Sequence, residues 1–328
     1  MLARVTPAVV SVQTRQRVRI NNPFVNDPLF RRMFPHVPQE RIEQSLGSGV
    51  IVDADQGLVL TNHHVIEGAD EVTVTLADGR TLEAEFIGSD PDTDVAVMRI
   101  DADNLAEVRL ADSASLQVGD FVVAVGNPFG IGQTVTSGIV SAVGRSGLRG
   151  LGFQNFIQTD ASINPGNSGG ALVDVNGNLE GINTAIYSRS GGSMGIGFAI
   201  PVSIAKQVLS DIVTEGKVTR GWIGVEPNDL SPELAETFGV KANAGVIITG
   251  VLQNGPAARA GIRPGDVITS VGDKKVDNVQ ELLTAVAGLK PGIDARFALQ
   301  RGSDRMELNV NPGLRPKTQA RRNPTEIE

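Results

Sequence analysis

The sequence contains no cysteine, three histidines, one tryptophan and one tyrosine, and aromatic residues fill only 4% of its 328 positions. The missing thiols exclude a disulfide framework, a cysteine-ligated zinc or iron–sulfur centre and a thiol nucleophile. No apolar run approaches the roughly 20 residues needed to span a bilayer, and stretches such as Phe121 to Val125 fall far short of it. Basic side chains are outnumbered, 29 against 37 acidic ones, and form no stripe. The formal charge of −8 therefore gives no electrostatic reason to expect nucleic acid. Glycine, by contrast, is abundant: 38 residues, about 12% where average usage is near 7%. Many tight turns between short strands follow from that. A hydrophobic fraction of 41% supports real cores, and the length predicts two domains.

The first part reads as all-β. Short β-branched runs at Val9–Gln13, Ser48–Asp53, Val72–Leu76, Thr81–Ile87, Val95–Ile100, Phe121–Val125, Gly138–Val143, Ala171–Val173 and Ile182–Ile186 are separated by turn signals such as Asp78-Gly79, Asn127-Pro128 and Asn176-Gly177. Such a pattern predicts a sandwich or barrel. Residues 21–45 interrupt it with Pro23, Pro28, Pro35 and Pro38 among Phe24, Phe30 and Phe34, and read as a long loop that packs on its own barrel or reaches a partner. Pro201 to Glu215 carries Ile204, Val208, Leu209 and Ile212 at helical spacing and closes the first domain, placed at 1–215. A second unit over 216–313 mixes strands at Gly221–Glu226, Gly245–Val251, Asp266–Val271, Ala295–Gln300 and Met306–Val310 with helices at Ser231–Phe238, Pro256–Ala260 and Val279–Leu289. The polar tail 314–328 has no periodicity and is expected to be disordered.

The chemistry is concentrated in Gly166-Asn167-Ser168-Gly169-Gly170. A serine between glycines can expose its hydroxyl on a tight turn while neighbouring N–H groups converge to hold an oxyanion. The nucleophile elbow of α/β-hydrolases has similar spelling, but its histidine follows the serine. Here His36, His63 and His64 all precede Ser168. An activated serine needs a base, and the base an orienting acid. Thr61-Asn62-His63-His64-Val65 offers the base and Asp92-Thr93-Asp94-Val95 the acid, giving the order His64, Asp94, Ser168. The subtilisin order would need Asp53 or Asp55 and long helices between strands, against the all-β pattern. A metal site on the paired histidines is disfavoured, because no H-E-x-x-H is present and consecutive residues of a strand face opposite sides. Gly250 to Pro256 lacks the lysine of a P-loop, so no nucleotide, and no cofactor or metal, is expected.

Six spaced motifs carry a family resemblance: Leu46-Gly47-Ser48-Gly49, Thr61-Asn62-His63-His64-Val65, Asp92-Thr93-Asp94-Val95-Ala96-Val97, Gly126-Asn127-Pro128-Phe129-Gly130, Gln158-Thr159-Asp160-Ala161-Ser162-Ile163-Asn164 and Gly166-Asn167-Ser168-Gly169-Gly170. Together they resemble the HtrA serine proteases, and the single PDZ-like unit after Arg220-Gly221-Trp222-Ile223-Gly224-Val225 looks most like the DegS and AlgW type. The resemblance implies a mainly β fold, a chymotrypsin-like double β-barrel followed by one α+β PDZ domain. It implies a serine endopeptidase in which His64 is the base, Asp94 the acid, Ser168 the nucleophile, and Gly166, Asn167 and Ser168 form the oxyanion hole. Pro165, directly before that turn, departs from the family pattern and fixes its own φ.

Ser162, six residues before the nucleophile, offers no acidic pocket floor, so Lys or Arg specificity is disfavoured. The resemblance implies Ile163, Ile186 and Ile196 as a pocket for a small aliphatic residue, although such isoleucines also suit barrel core. It also implies that Arg145 locks the oxyanion turn, where an ordinary surface arginine is the other reading. Gly221, Trp222, Ile223 and Gly224 match a PDZ carboxylate-binding turn, with Leu282, Leu283 and Val286 as pocket walls or as domain core. The implied partners are C-terminal peptides of outer-membrane proteins, an anti-sigma-factor substrate and two further copies in a homotrimer. The implied setting is the bacterial periplasm, anchored in the inner membrane, with general quality control of the DegQ type as the alternative. Because the chain starts at Met1 directly before Leu2-Ala3-Arg4-Val5-Thr6-Pro7, the natural protein is expected to extend upstream.

Overall fold

The computed structural model describes residues 1–19, 40–111, 116–128, 132–145, 155–186, 188, 192–239 and 245–314. Phe24, Phe30 and Phe34 of the proline-rich segment, and the tail 315–328, lie outside the described residues. The chain divides into two compact units, Met1–Val218 and Thr219–Glu328.

Unit one opens with helix α1 (Leu2–Val5) and a 3₁₀ turn at Thr6–Ala8. Seven strands follow: β1 (Val9–Arg19), β2 (Glu40–Asp53), β3 (Leu58–Thr61), β4 (Glu71–Thr75), β5 (Thr81–Glu83), β6 (Glu85–Asp90) and β7 (Val95–Arg99), with helix α2 (His63–Ile66) after β3. They form one antiparallel sheet in the order β5-β4-β1-β2-β3-β7-β6. Among the described residues this first β-layer pairs as a seven-stranded sheet, with the three-residue β5 at one edge, and the second closes by hydrogen bonds into a barrel. The barrel consists of β8 (Phe121–Gly126), β9 (Thr134–Arg145), β10 (Phe156–Thr159), β11 (Ala171–Val173), β12 (Leu179–Ile186) and β13 (Gly197–Pro201), ordered β10-β13-β12-β11-β8-β9.

Strands β1 and β2 run longer than their apolar parts. Val9 pairs with Val50 at one end and Arg19 with Glu40 at the other, so residues 40–45, read as part of a long loop over 21–45, belong to a strand, and the rest of that reading lies outside the described residues. The extension carries Arg15, Gln16, Arg17, Arg41, Glu43 and Gln44 and is held by the ladder itself, with Asp70 tied to it on both sides: its N–H donates to Arg15 O and its carboxylate accepts from Arg17 N–H. Val10, Val12, Val50, Val59, Leu60 and Val97 bury completely between these strands, each side chain contributing about 1.5–3 kcal/mol relative to exposure. A second cluster, with Val122, Ile157, Ile163, Leu172 and Ala199, fills the barrel.

The β11–β12 turn is organised by Asp174. Burial alone would raise its carboxyl pKa, but hydrogen bonds from the N–H and side-chain amides of Asn178 and Asn176 outweigh that and hold it below the usual carboxylate range. Helix α3 (Val202–Glu215) presents Val202, Ala205, Val208 and Ile212 to the main core, a spacing of one helical face, and ends at Gly216 in the left-handed region.

Unit two holds β14 (Gly221–Trp222), β15 (Val225–Asp229), helix α4 (Pro232–Phe238) capped by Ser231, β16 (Val246–Val251), helix α5 (Pro256–Ala260), β17 (Val267–Val271), β18 (Lys274–Lys275), helix α6 (Val279–Ala287), β19 (Ala295–Arg301), β20 (Asp304–Val310) and β21 (Gly313–Leu314). The sheet runs β15-β16-β17-β19-β20, leaving β15 as an edge. The strand read as continuous over Gly221–Glu226 breaks at Ile223-Gly224, where Gly224 takes φ +75, and Leu314, expected in the tail, pairs with Gly221. Arg301 donates to the buried Asp266 carboxylate at 2.7 Å through both Nε and Nη2, and this hydrogen bonding raises the arginine pKa further. Among the described residues no helix is long and apolar enough to cross a membrane.

Candidate active site

Strand β3 pairs with β7, Thr61 opposite Ala96, so the residues just beyond Thr61 and just before Val95 are neighbours. His63 and His64 open a helix, so the strand-facing argument against a paired-histidine metal site does not apply; the two rings nevertheless diverge. His63 Nδ1 meets Ser89 Oγ at 3.0 Å, while His64 Nδ1 meets Asp94 Oδ2 at 2.7 Å. Asp94 takes φ +58, a left-handed conformation unusual outside glycine. Its carbonyl accepts from His63 N–H at 3.2 Å and Asn62 Nδ2 at 3.0 Å, which holds that conformation. Its carboxylate, buried to 2% exposure, accepts three donors: His64 N–H (2.9 Å) on Oδ1, His64 Nδ1 and Thr184 Oγ1 (2.6 Å) on Oδ2. A carboxylate only accepts, so the His64 proton sits on Nδ1 and Nε2 is left as a base.

Ser168 lies in a turn between β10 and β11. Asn167 N–H donates to Asn164 O (3.0 Å), Gly169 N–H to Asn183 O (2.8 Å) and Gly170 N–H to Asn167 O (2.9 Å). Among the described residues, the N–H groups of Gly166 and Ser168 meet no acceptor. Gly166 sits at φ +96. Asn167 departs from its expected place in the oxyanion hole: its N–H is already used and the residue is 1% exposed, with its side chain against Gly126. Ser168 Oγ donates to Thr184 O at 3.2 Å. Thr184 thus touches both halves of the site, by hydroxyl to Asp94 and by carbonyl to Ser168. Sequence reasoning missed it; the available signal was the polar pair Asn183-Thr184 inside the buried strand β12. Thr184→Val, of similar shape without the hydroxyl, is expected to lower kcat about tenfold through a less firmly held Asp94, and Thr184→Ser to restore it; steady-state kinetics on a peptide substrate decide.

Ile163, Ile186 and Ile196 surround Gly197. A Cβ there would lie 2.9 Å from the Ile163 side chain, Ile186 is the cross-strand partner and Ile196 precedes it in the chain. Ile163 is nevertheless 1% exposed in the barrel core. Arg145 departs from its expected contact: among the described residues its Nε donates to Gln158 Oε1 at 3.0 Å and it holds no carbonyl of the 164–168 turn. In unit two, Gly221 and Trp222, read as the start of a strand and as part of the carboxylate-binding turn, are strand residues paired with Leu314 and Gly313. Ile223 is core at 2% exposure, and Leu282 (1%) and Val286 (7%) also join the core. The carbonyls of Ile223 and Gly224 accept from Ala257 and Leu252, whereas their N–H groups meet no acceptor among the described residues.

A mostly β unit with His64 and Asp94 joined beside a serine turn, followed by a small sheet with an open edge, defines a trypsin-like serine endopeptidase joined to a PDZ domain. Residues 47–182 match the trypsin-like peptidase domain and residues 221–311 the PDZ domain. The chain belongs to the HtrA family of serine proteases. It is similar to the periplasmic pH-dependent serine endoprotease DegQ of Escherichia coli (strain K12), 44% identical over 94% of this chain and 69% of that protein. It is also similar to the periplasmic serine endoprotease DegP of the same strain, 44% identical over 97% and 72%. Among solved structures it is similar to the HtrA-type protease AlgW with decapeptide: 48% identity, TM-score 0.79, covering 96% of this chain and 98% of that one.

Proposed function

We propose that the chain is a periplasmic, peptide-regulated endopeptidase in which Ser168 is the nucleophile, His64 the general base and Asp94 its orienting acid. Ser168 Oγ turns from Thr184 O to His64 Nε2, loses its proton to that nitrogen and attacks the scissile carbonyl. The N–H groups of Gly166 and Ser168 stabilise the oxyanion that forms. His64 then gives the proton to the leaving amine, and water releases the acyl group by the same route. Ile163, Ile186 and Ile196 around Gly197 favour a small aliphatic residue before the cut.

The regulatory part rests on one observation: the free N–H groups of Ile223 and Gly224 lie at the start of the open edge strand β15. Such an edge accepts an extended peptide, and such N–H groups a terminal carboxylate. The likeness to the HtrA-type protease AlgW with decapeptide, over 98% of that solved chain, and the PDZ match at residues 221–311 of this chain support the same reading. In it, exposed C-termini of misfolded outer-membrane proteins bind the PDZ domain, and the enzyme cuts a periplasmic anti-sigma factor as an inner-membrane-anchored homotrimer. General quality control is the second reading, favoured by the 44% identity to DegQ and DegP.

The test is cleavage of unfolded casein and of a periplasmic anti-sigma-factor domain, each with a decapeptide ending in a hydrophobic free acid or with its C-terminal amide. The acid form is expected to speed anti-sigma cleavage at least about tenfold and the amide not at all, since a bound ligand shifts an equilibrium only by its differential affinity. Casein digestion independent of either peptide would favour the quality-control reading.

A further inference from the structure

The oxyanion turn is held from outside by one side chain. Ser48, on β2 of the first sheet, is fully buried, and every one of its polar atoms is used. Its N–H donates to Ser168 O at 2.7 Å, its carbonyl accepts from Thr61 Oγ1 at 2.7 Å, and its Oγ donates to Gly166 O at 2.6 Å while accepting from Asn127 N–H at 2.8 Å. The direction is determined: Asn127 N–H can only donate, so the hydroxyl hydrogen of Ser48 is left for the Gly166 carbonyl.

We propose that the Ser48 hydroxyl is a positioning group for catalysis, setting the direction of the Gly166 N–H. This inference rests on the reading of Gly166 and Ser168 as oxyanion donors. The peptide units of the turn show why one hydroxyl carries such weight. The unit joining Asn167 to Ser168 is fixed at its carbonyl by Gly170 N–H, and the unit joining Ser168 to Gly169 is fixed at both ends, by Ser48 N–H and Asn183 O. The unit joining Pro165 to Gly166, which carries one proposed donor, has no hydrogen bond to the described residues at either end. Its orientation is set from the next unit along, whose carbonyl is held by Ser48 Oγ and whose N–H is held by Asn164 O. Gly166 has no Cβ to restrict it, so freeing its carbonyl lets the residue turn and the donor swing away. Among the described residues, no other side chain hydrogen-bonds the backbone of residues 165–168. The clamp comes from the sheet that also carries His64 and Asp94, so it ties the base to the oxyanion turn in the other half.

Ser48→Ala removes the hydroxyl and keeps the backbone bond to Ser168. Kinetics are compared with the wild-type chain under the condition in which the latter cleaves fastest, together with inhibition by a peptide aldehyde, which forms a tetrahedral oxyanion on the enzyme, and by the corresponding alcohol, which does not. The expected result is a kcat lower by about 10- to 100-fold, less than or equal to the loss of a whole oxyanion donor, with KM within about threefold. The aldehyde should weaken by the same factor as kcat and the alcohol should be unchanged. An unchanged kcat, or aldehyde and alcohol weakening together as KM rises, overturns the proposal. Should the alanine chain not fold, Ser48→Cys keeps a side chain at the position while replacing the hydroxyl with a larger, weakly donating thiol, and is read the same way. Failure of the underlying reading has a separate signature: cleavage that survives Ser168→Ala removes the triad whatever Ser48 does.

Discussion

Asp94→Asn is expected to lower kcat by about 10⁴-fold, with KM within threefold and the melting temperature nearly unchanged. The hydrogen bonds around the carboxylate dictate why. Oδ1 faces His64 N–H, a fixed donor; Oδ2 faces His64 Nδ1 and the rotatable hydroxyl of Thr184. An asparagine NH₂ in the place of Oδ1 would oppose a backbone N–H that cannot turn. Placed at Oδ2 instead, it meets two partners that can adapt: Thr184 rotates to accept, and His64 moves its proton to Nε2, freeing Nδ1 to accept. The less costly arrangement is therefore the inactive tautomer, with the proton on the nitrogen that must act as base. The fold should tolerate the change, because asparagine is among the few residues that accept φ near +58. Ser168→Ala sets the floor, a loss on the order of 10⁶ in kcat. Kinetics with a fluorogenic peptide and thermal melts of both variants test this. An Asp94→Asn rate within tenfold of wild type would remove Asp94 from the orienting role.

Those donors also mark where sequence reading stops. His64, Asp94 and Ser168 stand out because each lies in a short motif with its own chemistry, and strand runs such as Val95–Ile100 and Phe121–Val125 show because one burial pattern repeats along them. Thr184 lies in no motif, and Asn62 and Ser48, although inside two of them, have no role legible from their letters. Their work depends on which strands meet: Ser48 on β2 reaches residues 79 and 118 positions away, and no local pattern encodes that meeting. The same holds for Gly221 and Trp222: a strand is legible there from the sequence, but its pairing with Leu314 and Gly313 at the far end of the unit is not. Strands β1 and β2 look short in the sequence because their outer halves carry charge on both faces and are held by register rather than by an apolar face. Leu282 and Val286 posed a different problem: an apolar helix face looks alike whether it lines a groove or fills a core, and only the packing of α6 puts both in the core.

The meeting of the two halves also supplies the second large effect: Gly169→Ala is expected to destabilise the protease unit by about 4 kcal/mol, roughly 10 °C in Tm, and to lower kcat in what remains folded by at least about 100-fold. Gly169 follows the nucleophile at φ +84, and a Cβ there would lie 2.0 Å from Ser48 O and 2.4 Å from Thr61 Oγ1. Neither neighbour can give way alone. Ser48 O is held by the Thr61 hydroxyl, Ser48 N–H holds Ser168 O, and Gly169 N–H is bound to Asn183 on the opposite side. Relief requires the first sheet and the serine turn to part by about 1 Å, which moves His64 and Asp94 away from Ser168 and pulls the Ser48 hydroxyl from Gly166. Gly79→Ala separates this from backbone strain alone: Gly79 has φ +90, yet nothing lies within 4 Å of its Cβ position. It should cost only about 1 kcal/mol and leave kcat as it was. If the two variants melt alike and cleave alike, the contact between Gly169 and Ser48 is not the rigid seam on which this account of the site depends.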